Sequence, residues 1–139
     1  MPVYDLIVYS VSDSEREVLD RIYSILDENK VDARLAHRTI LTISEAYTNA
    51  FIHGNRQLPE KRISIHLDIN DYRIVADISD EGTGGMENIR QIVPPSLLAE
   101  GGRGVALMRH YADEVQFEES ATGGIIVSVT INRKIRQNV

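Results

Sequence analysis

ILTISEAYTNAFIHGN, residues Ile40 to Asn55, reads as the C-terminal part of a long helix, and the rest of the chain is arranged around it. At about 100° per residue, Ala36, Ile40, Ile43, Tyr47 and Ala50 share one apolar face suited to packing on a sheet. Glu45 and Asn49 stand four apart on the opposite side, with His53 one turn further along. A carboxylate and an amide oxygen on one edge are hard oxygen donors. They suit Mg²⁺, or removal of a proton from a hydroxyl.

Outward from this helix, the pattern alternates in type. Tyr4 to Tyr9 mixes β-branched and aromatic residues and reads as an edge strand. Ser12-Asp13-Ser14-Glu15 supplies a capping box, as Ser12 with Glu15 or Ser14 with Glu17, ahead of a helix that buries Val18, Leu19, Ile22, Ile25 and Leu26. Asp32 is placed to cap the long helix from Ala33 to His53, and Gly54-Asn55 to end it. Arg62 to Asp68 alternates Ile63, Ile65 and Leu67 with polar residues, and Tyr72 to Ser79 is its hairpin partner across a turn at Asp71. Asp80 to Arg103 holds five of the nine glycines and two of the four prolines, without any period. A loop of that length in a compact domain is expected to be a lid, here Met86 to Glu100. Gly104 to Tyr111 has helical spacing, and Glu114 to Glu118 and Ile125 to Asn132 read as strands joined by Thr122-Gly123-Gly124. Strands and helices do not alternate strictly. An α+β two-layer sandwich over residues 1–139, with a mixed, mostly antiparallel sheet covered by three helices, is therefore expected.

Bulk properties narrow the function. A chain of 139 residues fits a single domain. It has no cysteine, which removes thiolate metal sites and thiol nucleophiles. A net charge of −6 and a pI near 5.2, with scattered Lys and Arg, argue against direct nucleic-acid binding. No charged leader precedes an apolar segment, and no apolar run nears the roughly 20 residues that span a bilayer. A cytoplasmic protein with no membrane partner is the expectation. His37, His66 and His110 show no metal spacing and are expected to be surface or locally bonded residues.

Two further stretches carry chemistry. Asp80-Glu81-Gly82-Thr83-Gly84-Gly85 puts a carboxylate at a strand tip, followed by backbone without Cβ atoms. Such a carboxylate can accept the exocyclic amino proton of adenine, while the glycines admit a flat ring. Gly101-Gly102-Arg103-Gly104 opens into a helix, where free N–H groups and the helix dipole favour phosphate. No Gly-Lys-Ser/Thr follows and no strand precedes, so neither a Walker sequence nor a Rossmann fingerprint is present.

E-x-x-x-N, D-x-G-x-G and G-x-G at a helix start occur in that order. On SEAYTNAFIHGN, DISDEGTGG and the run from Pro94 through GGRGVALMRHYADEV, the chain resembles the GHKL ATPase superfamily with its Bergerat-type ATP-binding fold. Within it, the chain is most similar to the anti-sigma-factor serine/threonine kinases. The resemblance implies ATP and Mg²⁺ as cofactors, with Asn49 as Mg²⁺ ligand and Asp80, Gly82 and Gly84 around adenine. Gly102, Arg103 and Gly104 are implied at the phosphates, and Glu45 as general base toward a serine on a partner. It further implies an anti-sigma antagonist (STAS-like) protein and a sigma-like factor as partners, and similar kinases act as homodimers. Val105-Ala106 replaces the family's frequent Leu-Gly, and Gly123-Gly124 stands where Gly-Thr is common, which removes a hydroxyl from the expected pocket. Two alternatives remain: a non-catalytic, nucleotide-switched binding module, and a detached histidine kinase ATPase domain. The single strand and helix before the ATPase pattern are too few for a two-helix dimerisation domain, which counts against the latter.

Overall fold

The computed structural model describes residues 2–84 and 103–133. Its elements run β1 (Val3–Tyr9), α1 (Ser14–Glu28), α2 (Ala33–Thr48), a π-helical turn (Asn49–Gly54), β2 (Arg62–Ile69), β3 (Arg73–Ser79), α3 (Arg103–Tyr111), β4 (Glu114–Glu119) and β5 (Ile125–Asn132). The strands form one sheet in the order β1-β2-β3-β5-β4. All four pairings are antiparallel, so among the described residues the sheet is antiparallel rather than mixed. Two hairpins and one returning strand suffice to build it, and none of these connections requires a parallel crossover.

The period of two read from the sequence matches the burial along the strands. Ile63, Ile65, Leu67 and Ile69 of β2, Ile74, Ala76 and Ile78 of β3, and Ile125, Val127, Val129 and Ile131 of β5 lie on the covered face. Against them pack Val18, Ile22, Ile25 and Leu26 of α1, Ala36, Ile40, Ile43 and Tyr47 of α2, and Val105 and Met108 of α3. The result is a two-layer α+β sandwich, with one sheet face left outward.

Local contacts explain where elements begin and end. Asp32 accepts from the Leu35 N–H at 2.9 Å and caps α2 as expected, worth about 1 kcal/mol. The capping box of α1 does not form: Asp13 is the N-cap, without a side-chain bond. Ser14 is buried inside the helix, and Glu15 instead accepts from Ser44 Oγ at 2.9 Å, joining α1 to α2. The β2–β3 turn is organised by Asn70 rather than Asp71, because Asn70 Oδ1 accepts from the N–H groups of Tyr72 and Arg73 at 2.7 and 2.9 Å. The long helix also differs from its expected form. Regular α-geometry stops at Thr48, and the next turn widens, so that the Asn55 N–H reaches back five residues to the Ala50 carbonyl at 2.8 Å. Left-handed backbone follows at Arg56 (φ 53°) and Gln57 (φ 60°), not at Gly54.

Candidate functional site

The site forms where the end of α2, the tip of β3 and the start of α3 meet. Glu45 in the last turns of α2 and Asn49, four residues on at the start of the π-helical turn, are both half-buried. Gly104, in the first turn of α3, lies directly opposite: a Cβ there would stand 3.1 Å from Glu45 Oε2 and 3.4 Å from Asn49 Oδ1. Glycine thus keeps the helix start open toward both side chains. Glu45 has its pKa raised, first by burial and then by the Glu15 carboxylate. Among the described residues, Asn49 Nδ2 and the Tyr47 hydroxyl are the buried side-chain polar atoms without a hydrogen-bond partner. Burial, and next the Glu15 charge, push the Tyr47 hydroxyl up to about 12. Tyr47 belongs to the core, whereas Asn49 lies beside the opening at Gly104.

Asp80 sits at the tip of β3, the middle strand, and is only 9% exposed. Its N–H continues the ladder to the Ile125 carbonyl at 3.1 Å. Its Oδ1 accepts from the Gly82 N–H at 2.8 Å and from the Ile125 N–H at 3.2 Å. Burial raises its pKa, and these two backbone donors oppose that rise. Three glycines make the close fit possible. A Cβ on Gly54 would overlap the Asp80 carboxylate, one on Gly124 would overlap the Asp80 carbonyl, and one on Gly82 would overlap the Gly54 carbonyl. The expected hydroxyl at position 124 therefore has no room.

The two groups of residues are physically linked. Asn49 opens the π-helical turn and Gly54 closes it against Asp80, so one turn of chain joins the amide at one end to the carboxylate at the other. Turns of this type are often retained at functional sites. Gly84 is half-buried four residues beyond Asp80, and His53 is exposed. Arg103 begins α3. Its side chain, Gly102 and the expected lid from Met86 to Glu100 lie outside the described residues. Val105, where the family often has Leu, is fully buried in the core. The sequence reading placed Gly124 at the expected pocket only for its missing hydroxyl and did not single out Gly54 or Asn55 for the site. Their signal was present only as turn glycines and a helix stop, which tertiary contacts alone distinguish from ordinary turns.

The family model for the histidine kinase-like ATPase domain matches residues 10–131. The chain belongs to that family. An anti-sigma F factor of Bacillus subtilis is 32% identical to this ATPase domain over 92 residues, covering 63% of each chain. The chain thus aligns with less than two thirds of that relative's length. An anti-sigma F factor of Pasteuria penetrans is 27% identical over 133 residues, covering 91% of this chain and 89% of its own. In fold, the domain is similar to a crystal structure of the RsbU and RsbW domains of a Mycobacterium tuberculosis protein. The TM-score is 0.71 at 19% identity, covering 100% of this chain and 35% of the other. No helix among the described residues is long and apolar enough to cross a membrane.

The residues present fit a magnesium nucleotide. Among the described residues no three His, Asp or Glu side chains converge on a metal position. Mg²⁺ does not need such a cage, since it is commonly held by one or two protein oxygens together with waters and phosphates. Asn49 Oδ1 offers such an oxygen, and the adjacent unpartnered Nδ2 offers a donor.

Proposed function

We propose that the chain is an ATP-dependent protein serine kinase of the anti-sigma type. It acts in the cytoplasm on a serine of a small antagonist protein and also binds a sigma-like factor. The observation that carries this reading is the convergence of Glu45 Oε2 and Asn49 Oδ1 on the Cβ-free face of Gly104, 3.1 and 3.4 Å from where a side chain would begin. The family's ATPase character and the anti-sigma F factor relatives support it.

In this reading Asp80 accepts the adenine amino group, with Gly82 and Gly84 leaving space for the ring. Asn49 holds Mg²⁺, and Gly102, Arg103 and Gly104 bind the phosphates. When bound, Mg²⁺ neutralises charge on the phosphate oxygens. Glu45 orients the partner's serine hydroxyl and takes its proton as the γ-phosphoryl moves to the serine oxygen and ADP leaves. Its raised pKa makes it a better proton acceptor than a fully solvated carboxylate. Positioning supplies most of the rate in a loose phosphoryl-transfer transition state.

Incubating the chain with γ-labelled Mg-ATP in a native extract of its own cells should label a serine on a small protein. Mg-ATP binding without any labelled protein would overturn the kinase reading and leave a nucleotide-switched binding module.

A further inference from the structure

Asn55 is only 1% exposed, and its side chain is bonded on three sides. Its Nδ2 donates to Ser10 Oγ at 2.7 Å, just past β1, and to the Arg62 carbonyl at 2.9 Å, at the start of β2. Its Oδ1 accepts from the Glu81 N–H at 2.7 Å, the residue directly after Asp80. The Glu81 carboxylate is latched to the same strand start, accepting from the Arg62 N–H at 2.5 Å and from Arg62 Nη2 at 3.1 Å. On its other side Asn55 follows Gly54, whose Cα lies against the Asp80 carboxylate.

The backbone around Asn55 takes an uncommon path. It leaves a widened helical turn and enters two consecutive non-glycine residues with left-handed φ, Arg56 and Gln57, each costing about 1–2 kcal/mol. Local backbone bonds close the turn, with the Gln57 N–H on the Phe51 carbonyl at 2.8 Å and the Leu58 N–H on the Asn55 carbonyl at 3.0 Å, and the Asn55 side chain adds the tertiary bonds that fix it against β1, β2 and Glu81.

We propose that Asn55 is the positioning residue that holds the Asp80–Glu81 tip in register with Asn49, and thereby sets selectivity for the 6-amino group of adenine. The proposal rests on the reading of Asp80 as the adenine acceptor. A carboxylate displaced by a fraction of an ångström loses a directional hydrogen bond to that amino group, while phosphate binding at the other end is largely kept.

The test compares ATP with inosine triphosphate, which carries an oxo group in place of the 6-amino group, by titration calorimetry with Mg²⁺ on the full chain. Asn55→Ala should weaken ATP about tenfold, consistent with losing one directional bond in a buried site, and leave inosine triphosphate nearly unchanged. Ser10→Ala removes one of the Asn55 bonds on the side away from Asp80. It should lower the melting temperature but keep the wild-type preference for ATP. If Asn55→Ala is not recovered folded, Asn55→Ser, which is too short to reach the Glu81 N–H, carries the same expectation. An Asn55 variant that melts lower yet keeps the wild-type preference, in a background where Asp80→Asn abolishes it, overturns the positioning role alone. If Asp80→Asn also keeps the preference, the adenine-acceptor reading fails and the proposal fails with it.

Discussion

At the scale of single residues, the site depends on atoms that are missing. Gly104 faces Glu45 and Asn49 at distances a methyl group would just fill, and the crowded atoms are the ends of side chains rather than backbone. Gly104→Ala should therefore hardly disturb the fold, and alanine's better helix propensity, up to about 1 kcal/mol, acts in its favour. The added methyl displaces the two oxygens, or the phosphate that the proposed function puts beside them. We expect an unchanged or slightly higher melting temperature with transfer reduced about tenfold to a hundredfold, measured as kcat/KM for Mg-ATP. Gly54 is the opposite case, because there a Cβ would overlap a buried carboxylate held by two backbone donors. The sequence marks Gly54 only as a helix stop and Gly104 as a phosphate-loop glycine, and it cannot distinguish the cheap substitution from the costly one.

At the scale of elements, α2 carries most of the chemistry and was the most legible part of the chain. The stripe Ala36, Ile40, Ile43, Tyr47 and Ala50 is buried, and Asp32 caps the helix. Its final turn was not legible, since a π-helical turn and left-handed Arg56 and Gln57 have no local sequence preference. The capping box differs for the converse reason, since a clear local signature yields to a tertiary contact. Glu15 is engaged by Ser44, 29 residues away in the chain.

Arg38 ties α2 to the end of α3. This residue pairs with Asp113 at 2.9 Å, and its Nε donates to the Tyr111 carbonyl at the end of α3. The pair is partly exposed, so most of its value lies in satisfying the helix-end carbonyl. Arg38→Ala should cost about 1 kcal/mol in urea unfolding, and Arg38→Lys should recover only part of it because the planar fork is lost.

The β1–β2 pair offers a pH-dependent check. His66 Nδ1 lies 2.6 Å from Asp5 Oδ1, and this hydrogen bond raises the His66 pKa above its ordinary 6.5, with the charges of Asp5, Asp77 and Asp68 adding to it. The stabilisation is fully present below pH 6.5 and is lost as pH rises through the folded value. Both groups are well exposed, so the effect is small. His66→Gln should lower the melting temperature relative to wild type at pH 6, and the difference should vanish at pH 9.

For the whole molecule, the alternation of β2, β3 and β5 and the stripes of the helices were enough to give a two-layer sandwich. What the sequence left open was how distant segments converge. Asn49, Asp80 and Gly104 each sit in a motif of ordinary turn or helix residues, and the antiparallel sheet brings the tip of β3 under the end of α2 while α3 packs alongside. In the proposed phosphoryl transfer, Glu45 acts on the partner's hydroxyl and is not needed to hold ATP. The most direct test measures, for wild type and Glu45→Ala, both the Mg-ATP dissociation constant and the single-turnover rate of γ-phosphoryl transfer to the partner serine. For Glu45→Ala we expect a dissociation constant within a few-fold of wild type and a rate lowered by about a hundredfold or more. Transfer by Glu45→Ala at the wild-type rate would contradict it.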